Sequence, residues 1–368
     1  MAEKPAAGLL DISPRRLQAL ASFALTLALL ALVTLLPVPY VTFSPGPTYN
    51  SLGSVKGKTL LDISGRKVYP TTGSLDMVTV HQLGGPDGDL SVFEAIRAWL
   101  DPASEVVPTS AVFEPGETRA EMRLVSTAQF TGSQSDAVAA AMSYLKVPTT
   151  TTVVVSAVVG DMPAEGKLKA ADQIISVNGV RIKTPKQVSP VVRKAGIGGT
   201  VTMEIRRAGK KLSRTMTAVE NPHKPGVPFV GIMVDTYTKA PFTIAFELSR
   251  VGGPSAGTVF ALALIDKLTP GDMTGGAHIV GTGTIDADGQ VGGIGGIAQK
   301  MVSAKRAGGT LFLAPAENCP DVLGHIPRGL QVVQVSTLAD AVKAVTAYGK
   351  GARTGPALKP CTSEVAKS

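Results

Sequence analysis

Residues 17–36 carry no charge and are rich in leucine and alanine. At 1.5 Å per residue a helix of that length is about 30 Å long, the thickness of a bilayer's hydrocarbon core. The run therefore predicts a membrane anchor over residues 17–37. Arg15 and Arg16 stand just before it and no basic residue follows until Lys56. The positive-inside rule then puts a tail of residues 1–16 in the cytoplasm and everything after the anchor outside, in a single-pass arrangement in the cell membrane. A cleaved signal peptide is the competing reading. It would need small residues at the end of the run, whereas Pro37-Val38-Pro39-Tyr40-Val41 offers no A-x-A pattern.

The remaining 330 or so residues exceed one ordinary domain, and 44% hydrophobic content is ample for cores. The net charge of +8 is scattered. Its notable clusters after the anchor, Lys210-Lys211 and Lys305-Arg306, have no interleaved aromatics, which speaks against nucleic-acid binding and leaves a mild attraction to anionic membrane surfaces. The two cysteines, Cys319 and Cys361, both fall on the expected external side, where a disulfide would persist, and the sequence leaves their pairing open. The four histidines, His81, His223, His278 and His325, are isolated, and neither H-E-x-x-H nor C-x-x-C occurs. No metal and no cofactor are expected.

After a turn-rich Ser44-Pro45-Gly46-Pro47-Thr48, short alternating runs over residues 60–80 predict strands. Helical spacing follows over 90–100 and 134–145. Residues 38–149 are thus a mixed α/β region, in which the sequence offers no chemistry. Gly53-Ser54-Val55-Lys56-Gly57-Lys58-Thr59 looks like a Walker A loop but has three residues between its glycines where a phosphate cradle needs four. No other stretch supplies a P-loop, so any hydrolysis is expected to run without a nucleotide motor of this chain's own.

Val153-Val154-Val155-Ser156-Ala157-Val158-Val159 reads as a buried strand, and Asn178-Gly179 is a strong hairpin signal. Between them Pro163-Ala164-Glu165-Gly166-Lys167-Leu168 leads to Ala171-Asp172-Gln173-Ile174-Ile175-Ser176-Val177. This resembles the bacterial PDZ pattern P-A-x-x-G-x-L-x-x-G-D-x-I-x-x-V-N-G, with Ala171 in place of its glycine. The resemblance implies a β-rich PDZ domain over 150–228, with a helix near 187–195 and a strand over 201–205. Such domains add an extended peptide to a sheet edge, often capturing a C-terminal tail; which edge is open here the sequence does not say. A purely structural spacer is the alternative.

Two further stretches carry the chemistry. In Val251-Gly252-Gly253-Pro254-Ser255-Ala256-Gly257, Ser255 stands in a glycine-rich turn before an apolar helical run. Small neighbours would leave its hydroxyl reachable, and free amides at a helix start can meet a negative charge; an ordinary N-cap serine is the plain alternative. In Gly289-Gln290-Val291-Gly292-Gly293-Ile294-Gly295-Gly296-Ile297-Ala298-Gln299-Lys300-Met301, Lys300 flanks the apolar face formed by Ile297, Met301 and Ala304. A desolvated lysine loses its proton more easily and can activate a serine without histidine. A snorkelling surface lysine is the alternative, and Lys305 on the opposite flank competes on spacing alone. A Ser-His-Asp arrangement of Ser255 with His278 or His325 has no pattern behind it.

G-P-S-A-G followed by G-x-V-x-x-I-G-G-I-x-x-K is similar to the Lon protease family. That resemblance implies a dyad of Ser255 and Lys300, framed by Gly253, Pro254 and Ala256. Gly281-Thr282-Gly283 stands where the family has T-G-E, which makes Thr282 a candidate to orient Lys300, while Leu313-Ala314-Pro315-Ala316-Glu317-Asn318 resembles its P-x-x-N strand end. Thr284 replaces the glutamate of T-G-E and Gly252 replaces a frequent acidic residue, so no carboxylate-assisted triad is implied there. The whole layout, with Tyr40-Val41 and Ser44-Pro45-Gly46-Pro47-Thr48 after the anchor, resembles the YlbL-like proteins of Gram-positive bacteria.

The expected fold class is α+β: an N-terminal transmembrane helix, a β-rich PDZ domain, a C-terminal Lon-type proteolytic α/β domain over 229–349 and a tail over 350–368. The expected function is that of an ATP-independent serine endopeptidase acting outside the cytoplasm on proteins or peptides that the PDZ groove recruits or gates. Lon-type domains commonly form rings, so a homo-oligomer is open. A catalytically silent PDZ scaffold at the cell envelope is the rival reading.

Overall fold

The computed structural model describes residues 13–55, 57–86, 90–248 and 251–362. Residues 1–12 of the expected cytoplasmic tail, and the last six of the expected C-terminal tail, lie outside them. The apolar run forms α1 (Pro14–Leu35), a helix of 22 residues with no buried residue, long and apolar enough to cross a membrane. Pro14 in its first turn sets a helical φ without removing a needed donor.

Beyond α1 the described residues build two six-stranded sheets, together with several two-stranded pairings. β1 (Pro37–Val38) and β2 (Tyr40–Asn50) are followed by β3 (Ser74–Leu83), β4 (Leu90–Ser91), α2 (Val92–Leu100), β5 (Glu105–Pro108) and α3 (Arg119–Tyr144). Both helices begin with capping boxes, Ser91 with Glu94 and Thr118 with Glu121, in which each partner satisfies an amide the other leaves open. A second group comprises β6 (Thr150–Val158), β7 (Gln173–Val177), α4 (Val188–Ala195), β8 (Thr200–Arg207), β9 (Lys210–Thr217) and β10 (Ile232–Lys239). The last part comprises α5 (Gly257–Leu268), β11 (His278–Gly281), β12 (Thr284–Ile285), β13 (Val291–Gly292), α6 (Ile297–Arg306), β14 (Leu311–Pro315), β15 (Gln331–Val335) and α7 (Leu338–Gly349).

One sheet runs β15-β14-β11-β3-β2-β5. β15, β14, β11 and β3 pair in parallel, β2 pairs antiparallel with β3, and β5 pairs antiparallel with β2. β14, Leu-Phe-Leu-Ala-Pro, is buried at every residue, as a strand covered on both faces must be. α5 is buried along its whole length, which fits a helix that is hydrophobic all round. Phe260 on α5 stacks edge-on to Phe130 of α3 and against Phe246. Strands of the mixed region after α1 are therefore part of the same sheet as those that follow Ser255.

The second sheet is antiparallel, in the order β9-β8-β7-β6-β10, with its own core of Val155, Ile174, Val201, Met203 and Ile205. It lies in sequence between the two halves of the first sheet. The predicted hairpin is present: Asn178 and Gly179 have φ of 46° and 77°, the double positive φ of a two-residue turn. Ala171 takes φ 68°. It keeps the backbone that the usual glycine would supply, at a strain of about 1 kcal/mol. β10 follows residue 228, yet pairs with β6 from Ile232↔Val158 to Lys239↔Thr150. Cys319 and Cys361 form a disulfide, which ties the C-terminal segment beside β15, where Gln334 N–H donates to the Lys359 carbonyl.

Candidate active site

The turn that bears Ser255 is held from two sides. Gly253 N–H donates to the Ser126 carbonyl on α3 at 2.9 Å, and the Ser133 hydroxyl, also on α3, donates to the Pro254 carbonyl at 3.0 Å. From the other side Gly283 N–H and the Thr282 hydroxyl donate to the Ser255 carbonyl, at 2.9 Å and 3.1 Å. A Cβ on Gly252 would meet the Ser126 hydroxyl, so a side chain at this position requires that hydroxyl to turn away. The N-cap of α5 is Ala256, so Ser255 does not serve as the cap. Ser255 is half-buried and lines a cleft of about 220 Å³.

Lys300 lines the same cleft. It lies one turn into α6 and is 3% exposed, and burial pushes its ammonium down to about 7. Its Nζ donates to Thr282 Oγ1 at 3.2 Å. Thr282 is fully buried at the end of β11, where its amide donates to the Leu313 carbonyl of β14. One hydroxyl thus accepts from Lys300 and donates to Ser255, fixing lysine and serine turn to the same point on the sheet. Lys305 does not compete: it is exposed and donates to the Gly329 carbonyl.

The glycine-rich lead into α6 is held by the strand end that followed Pro315. Asn318 accepts from Ile294 N–H and donates to the Ile294 carbonyl, both at 2.8 Å, and Glu317 accepts from Gly293 N–H. Thr284 offers its carbonyl to the Thr258 hydroxyl, so the position that lacks a carboxylate serves the start of α5 through its backbone.

The histidines are placed elsewhere, with one exception. His278 pairs with Asp76 at 2.9 Å, His223 with Glu121 at 3.1 Å, and His325 Nδ1 lies 3.1 Å from the Asp321 carbonyl in its own turn. His81 lines the cleft, from an exposed position on β3. The mixed region, in which sequence reasoning finds no chemistry, contributes to the site: Pro47, Tyr49, Met77 and Thr79 form a wall of it, and α3 holds the serine turn. The one available signal was the Ser44-Pro45-Gly46-Pro47-Thr48 stretch, which bulges the β2–β3 pairing between Pro45 and Thr48. There Thr79 donates to the Pro47 carbonyl at 2.8 Å.

By fold and site this is an α+β chain that joins a PDZ-like antiparallel sheet to a domain with a buried lysine beside a cleft serine. Residues 249–347 match the profile of the Lon protease (S16) C-terminal proteolytic domain, and residues 129–217 that of the PDZ domain. The Lon protease of Roseiflexus castenholzii is 44% identical over 70 residues, 19% of this chain and 8% of that protein. The Lon protease of Clostridioides difficile is 42% identical over 79 residues, 22% of this chain and 10% of that one. The chain thus spans about a tenth of the length of these relatives. Among solved structures, the PDZ domain of an SdrC-like protein from Listeria monocytogenes is 25% identical, covering 23% of this chain and 86% of that one at a TM-score of 0.21. The chain carries a Lon-type (S16) proteolytic domain together with a PDZ domain.

Proposed function

We propose that the chain is a membrane-anchored serine endopeptidase in which Lys300 takes the proton of Ser255 and Ser255 attacks the peptide carbonyl. The observation that carries this reading is the buried Lys300, lowered to about 7, in the cleft that Ser255 lines. A neutral lysine that donates one N–H to Thr282 keeps its lone pair to accept a proton. The acyl-enzyme is then hydrolysed by water, with the same lysine as base. For the oxyanion, amide accounting favours the turn itself. Gly253 and Thr258 amides are committed to the Ser126 and Gly283 carbonyls, and Pro254 has none, so the amides of Ser255, Ala256 and Gly257 take this role.

β3 runs to Leu83 while its parallel partner β11 ends opposite Met77. Beyond that point the cleft wall presents strand backbone, against which an extended substrate segment lies. The PDZ domain recruits such segments. Its edge strand β10 and the serine turn are both fastened to α3: Thr238 N–H donates to the Ser135 hydroxyl, two residues from Ser133. That shared helix is the route by which an occupied groove gates the site.

With α1 spanning the membrane and Arg15 and Arg16 on its cytoplasmic side, the catalytic cleft faces outward, where no ATP-driven unfolding is at hand. The full chain in detergent is expected to cut unfolded casein with no nucleotide present. A strict ATP requirement would contradict that part of the proposal. Thr282→Val should slow hydrolysis by about 10- to 100-fold, the equivalent of 1–3 kcal/mol for a lost buried hydrogen bond, mainly in kcat. Steady-state kinetics at saturating peptide would show it, and an unchanged kcat would remove Thr282 from the mechanism.

A further inference from the structure

α2 is amphipathic the wrong way round for a helix of a water-soluble domain. Its small residues, Ala95 and Ala98, lie half-buried against the protein, while Phe93, Ile96, Trp99 and Leu100 are 59%, 51%, 76% and 68% exposed. Clustered large apolar side chains on an outer face mark an interaction surface.

The position of this face says what covers it. α2 begins where α1 ends: Val92 N–H donates to the Leu36 carbonyl at 3.0 Å, and β1 pairs with β4 through Pro37↔Ser91 and Val38↔Leu90. The outward apolar face is therefore pinned at the level where the apolar helix leaves its membrane. Glu94 has its carboxylate in the capping box with the Ser91 amide and hydroxyl, and the exposed Arg97 remains toward the surroundings. Tryptophan at the headgroup level, flanked by aliphatic side chains and a basic residue, matches an interfacial helix.

We propose that the face of α2 formed by Phe93, Ile96, Trp99 and Leu100 is seated in the headgroup–acyl boundary of the bilayer that α1 crosses. The inference rests on the membrane reading of α1 and is independent of the proteolytic one. Its consequence is a fixed attitude of the catalytic domain. α2 packs on β2 and β5, and β2 in turn packs against α6, the helix that carries Lys300. The cleft is then held at the membrane surface and does not swing on a single tether.

Trp99 is the chain's one tryptophan, which makes the test direct. The full chain, reconstituted in liposomes of phosphatidylcholine and phosphatidylglycerol, is expected to lose roughly half or more of its tryptophan emission to lipids brominated near the headgroup end of the acyl chain, and little to aqueous iodide. The Phe93→Asp, Ile96→Asp double variant should lose most of that lipid quenching while floating with the liposomes as the wild type does. Emission quenched by iodide and not by brominated lipid, in a chain that resists alkaline extraction, overturns the seat and leaves the anchor standing. Emission shielded from both quenchers also overturns it, and would put a second copy of the chain on the face. Release of the chain by alkaline carbonate overturns anchor and seat together, and unchanged quenching in the double variant contradicts the assignment to this face.

Discussion

Ser255→Ala is expected to abolish peptide hydrolysis, by about 10⁴-fold or more, while leaving the thermal unfolding curve of the chain in place. The two halves of that expectation have separate causes. In the proposed mechanism the Ser255 hydroxyl is the atom that forms the acyl bond, and the two nearby threonine hydroxyls are engaged elsewhere, Thr79 with the Pro47 carbonyl and Thr282 with Lys300 and the Ser255 carbonyl. The fold is indifferent because the turn is held by backbone groups, the Gly253 amide and the Pro254 and Ser255 carbonyls, which alanine at 255 preserves. Residual cleavage by the purified variant at a substantial fraction of the wild-type rate would remove Ser255 from the nucleophile's role.

Lys300→Met should be as damaging to hydrolysis, and Lys300→Arg no better. Arginine keeps the charge but cannot give up its proton, so a variant conservative in charge fails if the lysine acts as base. In the wild type, kcat/KM should climb about tenfold per pH unit below about 7 and level off above it, as Lys300 becomes neutral. Stability carries the same signature. The ordinary lysine value is 10.5 and the folded value is about 7, so between the two the unfolded chain binds more protons than the folded one. The stability contribution of the neutral lysine is present above 10.5 and is lost as pH falls to about 7. Lys300→Met removes the titration. It should therefore unfold at a higher temperature than wild type at pH 6, with the gap closing toward pH 10.

Much of this site was legible because it is written in short contiguous stretches. Ser255 and its small neighbours, Thr282 between two glycines, and Lys300 one turn after a glycine run are each local patterns whose chemistry depends on their immediate neighbours. Asn318 belongs with them: its strand-end motif proves to be the clamp on Ile294 that starts α6. The PDZ turn at Asn178-Gly179 was likewise readable from two residues.

What stayed hidden is whatever long-range pairing brings in. Ser74 stands opposite His278, some two hundred residues away in sequence, and that one register puts Met77, Thr79 and His81 beside Lys300. No periodicity within residues 60–80 carries that information. Ser126 and Ser133 look like ordinary polar positions of a long helix, and only the packing of α3 on the serine turn gives them work. β10 lies in a stretch that reads as a turn-rich boundary, because Pro225 and Pro228 precede it, yet it becomes an edge strand of the second sheet. The hydrophobic spacing of α2 was visible, but its direction was not: the same spacing fits a helix facing a core and one facing lipid.

If a buried, neutral Lys300 makes Ser255 a nucleophile, the rate at which a fluorophosphonate phosphonylates Ser255, with loss of fluoride, must follow the titration of Lys300. The expected result is an adduct on Ser255 alone, forming faster as pH rises through about 7 and then at a constant rate, with the reaction nearly absent in Lys300→Met. An adduct on another residue, or one that forms in Lys300→Met with the wild-type rate and pH profile, would contradict it.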